Sequence, residues 1–177
     1  MNPTHTSFLV LFLCIVLSSC IKRNPNKQIE QRILKENTIK NNIEFTYPIQ
    51  KQVYVPIYSD IYNKTKDHRF QLTATLSIRN ISPKDSLFLE NVDYYDTQGN
   101  FVRAYIKKPI YLKPLESIEY VIEEKDTIGG SGANFLINWG AHREINPLFQ
   151  GIMVGVLGQQ GFAFTTEGTT VLNMDEF

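Results

Sequence analysis

The sequence predicts a mostly β protein, a single antiparallel β-sandwich of Ig-like or small-barrel form, and three observations carry that expectation. After Glu44, apolar and polar residues alternate with a period of two over much of the chain, the mark of strands with one buried and one wet face. Gly, Asn, Asp and Pro punctuate these runs at short intervals, as they do in sandwiches and barrels. No segment beyond Glu44 repeats its apolar residues at the 3.6-residue period of an amphipathic helix.

The chain starts differently. Phe8 to Leu17 reads FLVLFLCIVL, an unbroken apolar run of ten residues. A membrane-spanning helix needs about 20 such residues, whereas a signal-peptide core needs about 7–15. Leu17-Ser18-Ser19-Cys20 follows, with the aliphatic, small, small, cysteine order of a lipobox. Residues 1–19 are therefore expected to be a lipoprotein signal peptide, and Cys20 the acylated residue. Met1 to Ser7 contains no Lys or Arg, a departure from the usual positive start of such a signal. Acyl chains contribute about 0.8 kcal/mol per buried CH₂, so the expected location is the cell envelope, lipid-anchored at the periplasmic face or cell surface. Cys14 leaves with the signal and Cys20 is acylated, and no other cysteine is present. The folded part then has no disulfide and no thiol chemistry.

Residues 20–45 are expected to form the lipidated cysteine and a flexible tether. From Ile21 to Glu44, six basic residues face three acidic ones among many Asn and Gln, a composition that buries little. Ile29, Ile33 and Leu34 offer a short amphipathic helix as the lesser reading. From Phe45 onward there are 12 basic and 15 acidic residues. That balance supplies no basic patch for nucleic acid. The expected β-sandwich domain is 46–177.

Within it, Phe70, Leu72, Ala74, Leu76 and Ile78 alternate with polar neighbours and give the clearest strand. Val53, Val55 and Ile57 alternate likewise, but Pro56 has no N–H to offer a ladder, so an edge strand is expected. Val92 to Tyr95, the turn Asp96-Thr97-Gln98-Gly99-Asn100 and Phe101 to Ile106 read as a hairpin. Ile118 to Ile122, Phe135 to Ile137, Gly151 to Leu157 and Phe162 to Thr166 complete the expected strands.

Several strings have a family character: YVPIYSDIY (Tyr54 to Tyr62), LTATLSIRN (Leu72 to Asn80), VDYYDTQGNFVRAYIKKPIYLKPLES (Val92 to Ser117), DTIGGSGANFLINW (Asp126 to Trp139) and QQGFAFTTEG (Gln159 to Gly168). Together they resemble the bacterial family called domain of unknown function 3124, over about Val53 to Leu172. The resemblance implies an exported or lipid-anchored chain and brings no catalytic residue, substrate or cofactor with it.

The strongest local candidate for chemistry is Gly129-Gly130-Ser131-Gly132-Ala133-Asn134. Three glycines in four residues allow close backbone approach, and successive amides can build an anion-binding concavity. A nucleotide-binding loop would be followed by a helix and usually carry a lysine, but here a strand follows. The competing reading is a tight connection between strands, with Asn134 as a turn residue. If the loop holds an anion or a sugar, Ser131 and Asn134 supply donors and Asp126 fixes where the loop begins. Tyr54, Tyr58 and Tyr62 with Tyr94 and Tyr95 are candidates for an aromatic interaction face, against the reading that they are half-buried core. Asp60, Asp67, Asp93 and Asp96 have no spacing of a calcium loop, and no metal site or cofactor is expected. Ser131 with His68 or His142 lacks a framing motif for a hydrolase. The leading expectation is a non-catalytic module that binds another envelope protein or polymer. A small-ligand binder using the glycine loop comes second, and a hydrolase with an unrecognised site third.

Overall fold

The structure, a computed structural model, describes residues 32–39 and 46–171. The expected signal peptide and Cys20 lie outside the described residues. Two antiparallel sheets pack face to face around one core, and they do not close into a barrel. The larger sheet runs in the order β12 (Thr169–Thr170), β1 (Ile49–Pro56), β9 (Asn134–Ala141), β5 (Leu87–Tyr95) and β6 (Phe101–Ala104), with β7 (Ile110–Leu112) also paired to β5. The smaller sheet runs β11 (Gln160–Glu167), β10 (Leu148–Leu157), β4 (Thr73–Arg79) and β8 (Ser117–Ile122). A separate hairpin joins β2 (Asp60–Asn63) and β3 (Thr65–Gln71).

Alternation builds the core as the sequence predicts. Val53 and Val55 of β1, Ala74, Leu76 and Ile78 of β4, and Ile118, Tyr120 and Ile122 of β8 all point inward and are buried. Phe135, Ile137 and Trp139 of β9 lie beside Val53 and Val55 on the inner face of the large sheet, opposite the β4 and β8 residues of the small one. The long alternating run from Phe70 to Ile78 is divided, however. Leu72 leaves the ladder, its N–H donating to the Ser59 carbonyl (2.9 Å), so β3 belongs to the hairpin and β4 to the sheet. A period-two pattern does not register such a break, because Leu72 stays buried on the same side. The turn after Tyr95 forms as expected. Gly99 adopts φ +81, and Asp96 Oδ1 accepts the N–H groups of Gln98 (2.9 Å) and Asn100 (2.8 Å).

The edge expected at Pro56 is not found. β1 lies between β9 and β12, whose two residues pair with Val53 and Tyr54. Pro56 closes the end of the strand, and its carbonyl accepts the Thr166 hydroxyl (2.6 Å) from the other sheet. Gly168 turns the chain from β11 into β12, donating its N–H to the Phe149 carbonyl (2.8 Å). A Cβ there would meet Val53 Cγ1 at 2.7 Å and Phe149 Cβ at 2.9 Å. The two sheets are thus stitched together at that corner.

Residues 32–39 fall within the stretch expected as a tether, yet they pack on the domain. A helical turn spans residues 32–36. Ile33, 1% exposed, joins the core, and Leu34 packs against it. Asn37 is buried as well, its side chain donating to Glu116 Oε2 (2.8 Å), and Thr38 bridges Ile110 of β7. The physical reason is that one buried apolar side chain and a satisfied amide suffice to dock a segment whose remaining residues stay polar. No helix among the described residues is long and apolar enough to cross a membrane.

Candidate functional site

The glycine-rich loop sits between β8 and β9 and folds as one 3-10 turn over Gly130–Gly132. Its backbone groups are turned toward its own neighbours. The N–H and hydroxyl of Thr97, in the β5–β6 turn, both donate to the Gly129 carbonyl (2.9 and 2.8 Å). Gly132 N–H donates to Thr97 Oγ1 (2.9 Å). On the other flank, Ser59 N–H donates to the Gly130 carbonyl (3.0 Å) and Ile57 N–H to that of Ala133 (2.8 Å). Gly129 is glycine for want of space, since a Cβ would lie 1.8 Å from the Tyr94 hydroxyl. Gly130 is glycine for its φ of +72. Ser131 lies half-buried in the turn, and Asn134 begins β9 opposite Pro56 and Tyr95.

Asp126 stands at the base of this loop, ion-paired with Arg103 of β6. The Arg103 guanidinium lies 5.4 Å from the Tyr94 ring centre and 5.7 Å from that of Tyr105. The Tyr94 and Ser59 hydroxyls hydrogen-bond at 2.9 Å, and burial pushes the Tyr94 phenol up from its ordinary pKa. Next to them, nearly buried Asp60 pairs with Arg69, which covers the Tyr62 ring at 4.5 Å. These contacts tie three loops together. Of the loop's own groups, the Gly129, Gly130 and Ala133 carbonyls and the Gly132 N–H are engaged in holding it to its neighbours.

The five tyrosines do not share one face. Tyr94 is fully buried, because its position on β5 points into the core. Tyr58 packs edge-on against Phe164, while Tyr62 extends from the β2–β3 hairpin under Arg69. Tyr54 and Tyr95 alone look outward from the large sheet, where Tyr95 meets Phe101 edge-to-face at 5.8 Å. His68 bonds Thr65 within an exposed hairpin (2.9 Å). His142 follows the far end of β9 from Ser131, roughly 25 Å along the strand. Among the described residues no group of three or more His, Cys, Asp or Glu is placed to hold a metal ion.

The outward face of the large sheet presents a more coherent array. Cross-strand register sets its side chains in four rows. The first holds Gln50, Gly140, Phe88 and Tyr111; the second Gln52, Asn138 and Asn91. The third holds Tyr54, Leu136, Asp93 and Ala104, and the fourth Pro56, Asn134, Tyr95 and Phe101. The second row is a chain of amides. Gln52 Nε2 donates to Asn138 Oδ1 (2.8 Å), the Asn138 backbone N–H donates to Asn91 Oδ1 (3.2 Å), and Asn91 Nδ2 donates to Asp93 Oδ2 (2.5 Å). Aromatic rings flank it. On one side Tyr47 stacks on Phe88 at 4.3 Å over Gly140, with the His142 ring edge-on to both. On the other side lie Tyr54, and beyond it Tyr95 and Phe101. The sequence reading found Tyr54 and Tyr95 but missed the amides. A β-bulge at Glu90, between Leu89 and Asn91, resets the alternation in β5 and turns Asn91 and Asp93 outward.

Comparison with known proteins gives a consistent but narrow picture. No curated protein matches the chain. A crystal structure of Thermotoga maritima 1070 is similar at 14% identity, covering 67% of this chain and 92% of that one, with a TM-score of 0.38. The sequence model of DUF3124, described as a protein of unknown function, matches residues 50–171. That match spans both sheets and most of the strings singled out in the sequence, so the chain belongs to the DUF3124 family.

Proposed function

We propose that this chain is a lipid-anchored binding module of the cell envelope, held to the membrane through Cys20, and that it engages its partner on the outward face of the large sheet without transforming it. The observation that carries this reading is the amide row Gln52–Asn138–Asn91, set between two groups of rings on an open sheet face. Pre-ordered side chains on rigid strands bind at a smaller entropic cost than the same groups on a loop. The glycine-rich loop is better accounted for as a structural connection, because the Gly129 and Gly130 carbonyls and the Gly132 N–H pin its turn to Thr97 and Ser59 and Gly129 packs against the Tyr94 hydroxyl. A nucleic-acid partner is disfavoured by the same face, whose four rows contain no Lys or Arg.

Two measurements test this. Labelled palmitate should be incorporated by the native chain and not by Cys20→Ala; equal labelling of both rejects the anchor. A photo-crosslinking amino acid placed at Tyr54 or Asn91 should give adducts in living cells, while one at Ser131 should give few. Adducts from Ser131 alone would move the site to the loop.

A further inference from the structure

We infer that the ligand of this face is an uncharged glycan chain, lying along the strands with its sugar rings against the flanking aromatics and its hydroxyls on the amide row. The inference rests on the proposal that the face is the binding surface, and it names the chemistry that the face selects.

Hydrogen-bond inventory comes first. Each internal bond in the row uses part of a side chain and leaves a defined remainder. Gln52 retains its Oε1 and one N–H, Asn138 retains both N–H groups of its side chain, and Asp93 retains Oδ1. Donors and acceptors therefore alternate across the sheet within a few ångströms. A sugar hydroxyl gives one hydrogen bond and takes two, so neighbouring hydroxyls on one ring match such an array. A phosphate or carboxylate only accepts, and would set Asp93 against it with no cation to compensate. The rows contain one carboxylate and no basic residue, and that charge pattern fits an uncharged ligand.

The rings supply the second part. Phe101 is 57% and Tyr54 38% exposed, so both rings can be reached from solvent. The C–H faces of a pyranose are apolar and flat, and they stack on such rings. Rows lie two residues apart, about 6.8 Å, so the distance from the Phe88 row to the Tyr95 row is about 20 Å. That length accommodates several linked sugars, with rings at both ends and amides between. Protein interfaces have the opposite layout, an apolar centre inside a polar rim. Here the polar groups are central and the apolar groups lie outside, which favours a glycan over a protein.

The test uses the full chain in detergent, titrated with chitotetraose, cellotetraose and mannotetraose, with heparin as a polyanionic comparison. We expect saturable binding of at least one neutral tetrasaccharide, little affected by added salt. Tyr54→Ala and Asn138→Ala should each weaken it by about five- to tenfold, the loss of one net interaction. Tyr54→Phe should retain it, which separates ring stacking from a folding defect, and Ser131→Ala should leave it unchanged. Failure to bind all three neutral probes overturns the glycan assignment; adducts to a protein from Tyr54 in cells would then leave the face reading standing. Binding that survives both face substitutions overturns the site itself. Salt-sensitive binding of heparin alone overturns the uncharged class.

Discussion

The hydroxyl of Tyr94 occupies the space that a side chain on Gly129 would need, and it is held there by Ser59 at 2.9 Å. Gly129 has φ −67 and ψ −39, a conformation open to any residue, so sterics alone select glycine. Gly129→Ala is expected to destabilise the domain by about 1–3 kcal/mol, the usual cost of overpacking. Removing the clashing oxygen should relieve part of this. In Tyr94→Phe, a second Gly129→Ala should cost less than it does in the native background, and urea denaturation of the four proteins measures the coupling. Additive losses would show that the hydroxyl is not the obstacle.

Asp96 makes the β5–β6 turn pH-dependent. Its carboxylate accepts hydrogen bonds from the Asn100 side chain and backbone, and from Gln98, which lowers its pKa below the ordinary 3.8. The ionised form is thus favoured by folding. A depressed folded-state pKa gives stability that is present above pH 3.8 and is lost as the pH falls through the folded value. Asp96→Asn should be less stable than the native chain near pH 6, and the difference should shrink toward pH 3. Thermal melts at the two pH values check this, and a gap of constant size would point to a charge-independent cause.

The Asp60–Arg69 pair should behave unequally when either partner is removed. Asp60 has 6% of its side chain exposed and Arg69 40%. Arg69→Ala leaves a carboxylate in a largely dry position, whereas Asp60→Asn leaves only a solvated guanidinium. With solvent reaching the arginine the effect is modest, and Arg69→Ala is expected to destabilise the domain more than Asp60→Asn does. Adding Asp60→Asn to Arg69→Ala should recover stability, since no buried charge then remains. Chemical denaturation of the three variants decides the order.

What the sequence made legible follows the range of each interaction. The inward residues of β4 and β8 declare themselves by alternation, and the Asp96–Asn100 turn by its composition, because both are local. The break at Leu72 and the bulge at Glu90 are invisible in that pattern, since each depends on which strand lies alongside. The amide row suffers most from this. Gln52, Asn91 and Asn138 are three ordinary polar residues until register places them side by side. The glycine loop drew attention for the opposite reason. Its residues are conspicuous, yet the structure uses their small size to fit Tyr94 and Thr97.

Ile33 shows the same limit at the other end of the scale, one apolar residue in a polar stretch. Its side chain is 1% exposed and belongs to the core cluster, while the neighbouring Asn37 amide holds Glu116, whose Oε2 also accepts the Lys113 N–H (2.8 Å). The segment therefore braces the β7–β8 connection. Ile33→Ala should destabilise the domain by about 2–4 kcal/mol, the range for removing a buried aliphatic side chain. Asn37→Ala should cost less, about 1 kcal/mol for its one net hydrogen bond. Hydrogen exchange offers a sharper readout than global stability. If the brace operates, both substitutions speed exchange of the Tyr111 amide, which donates to the Asn37 carbonyl (3.1 Å), and leave the amides of β4 protected. Unchanged exchange at Tyr111 in Ile33→Ala would mean that residues 32–39 rest on the domain without supporting it.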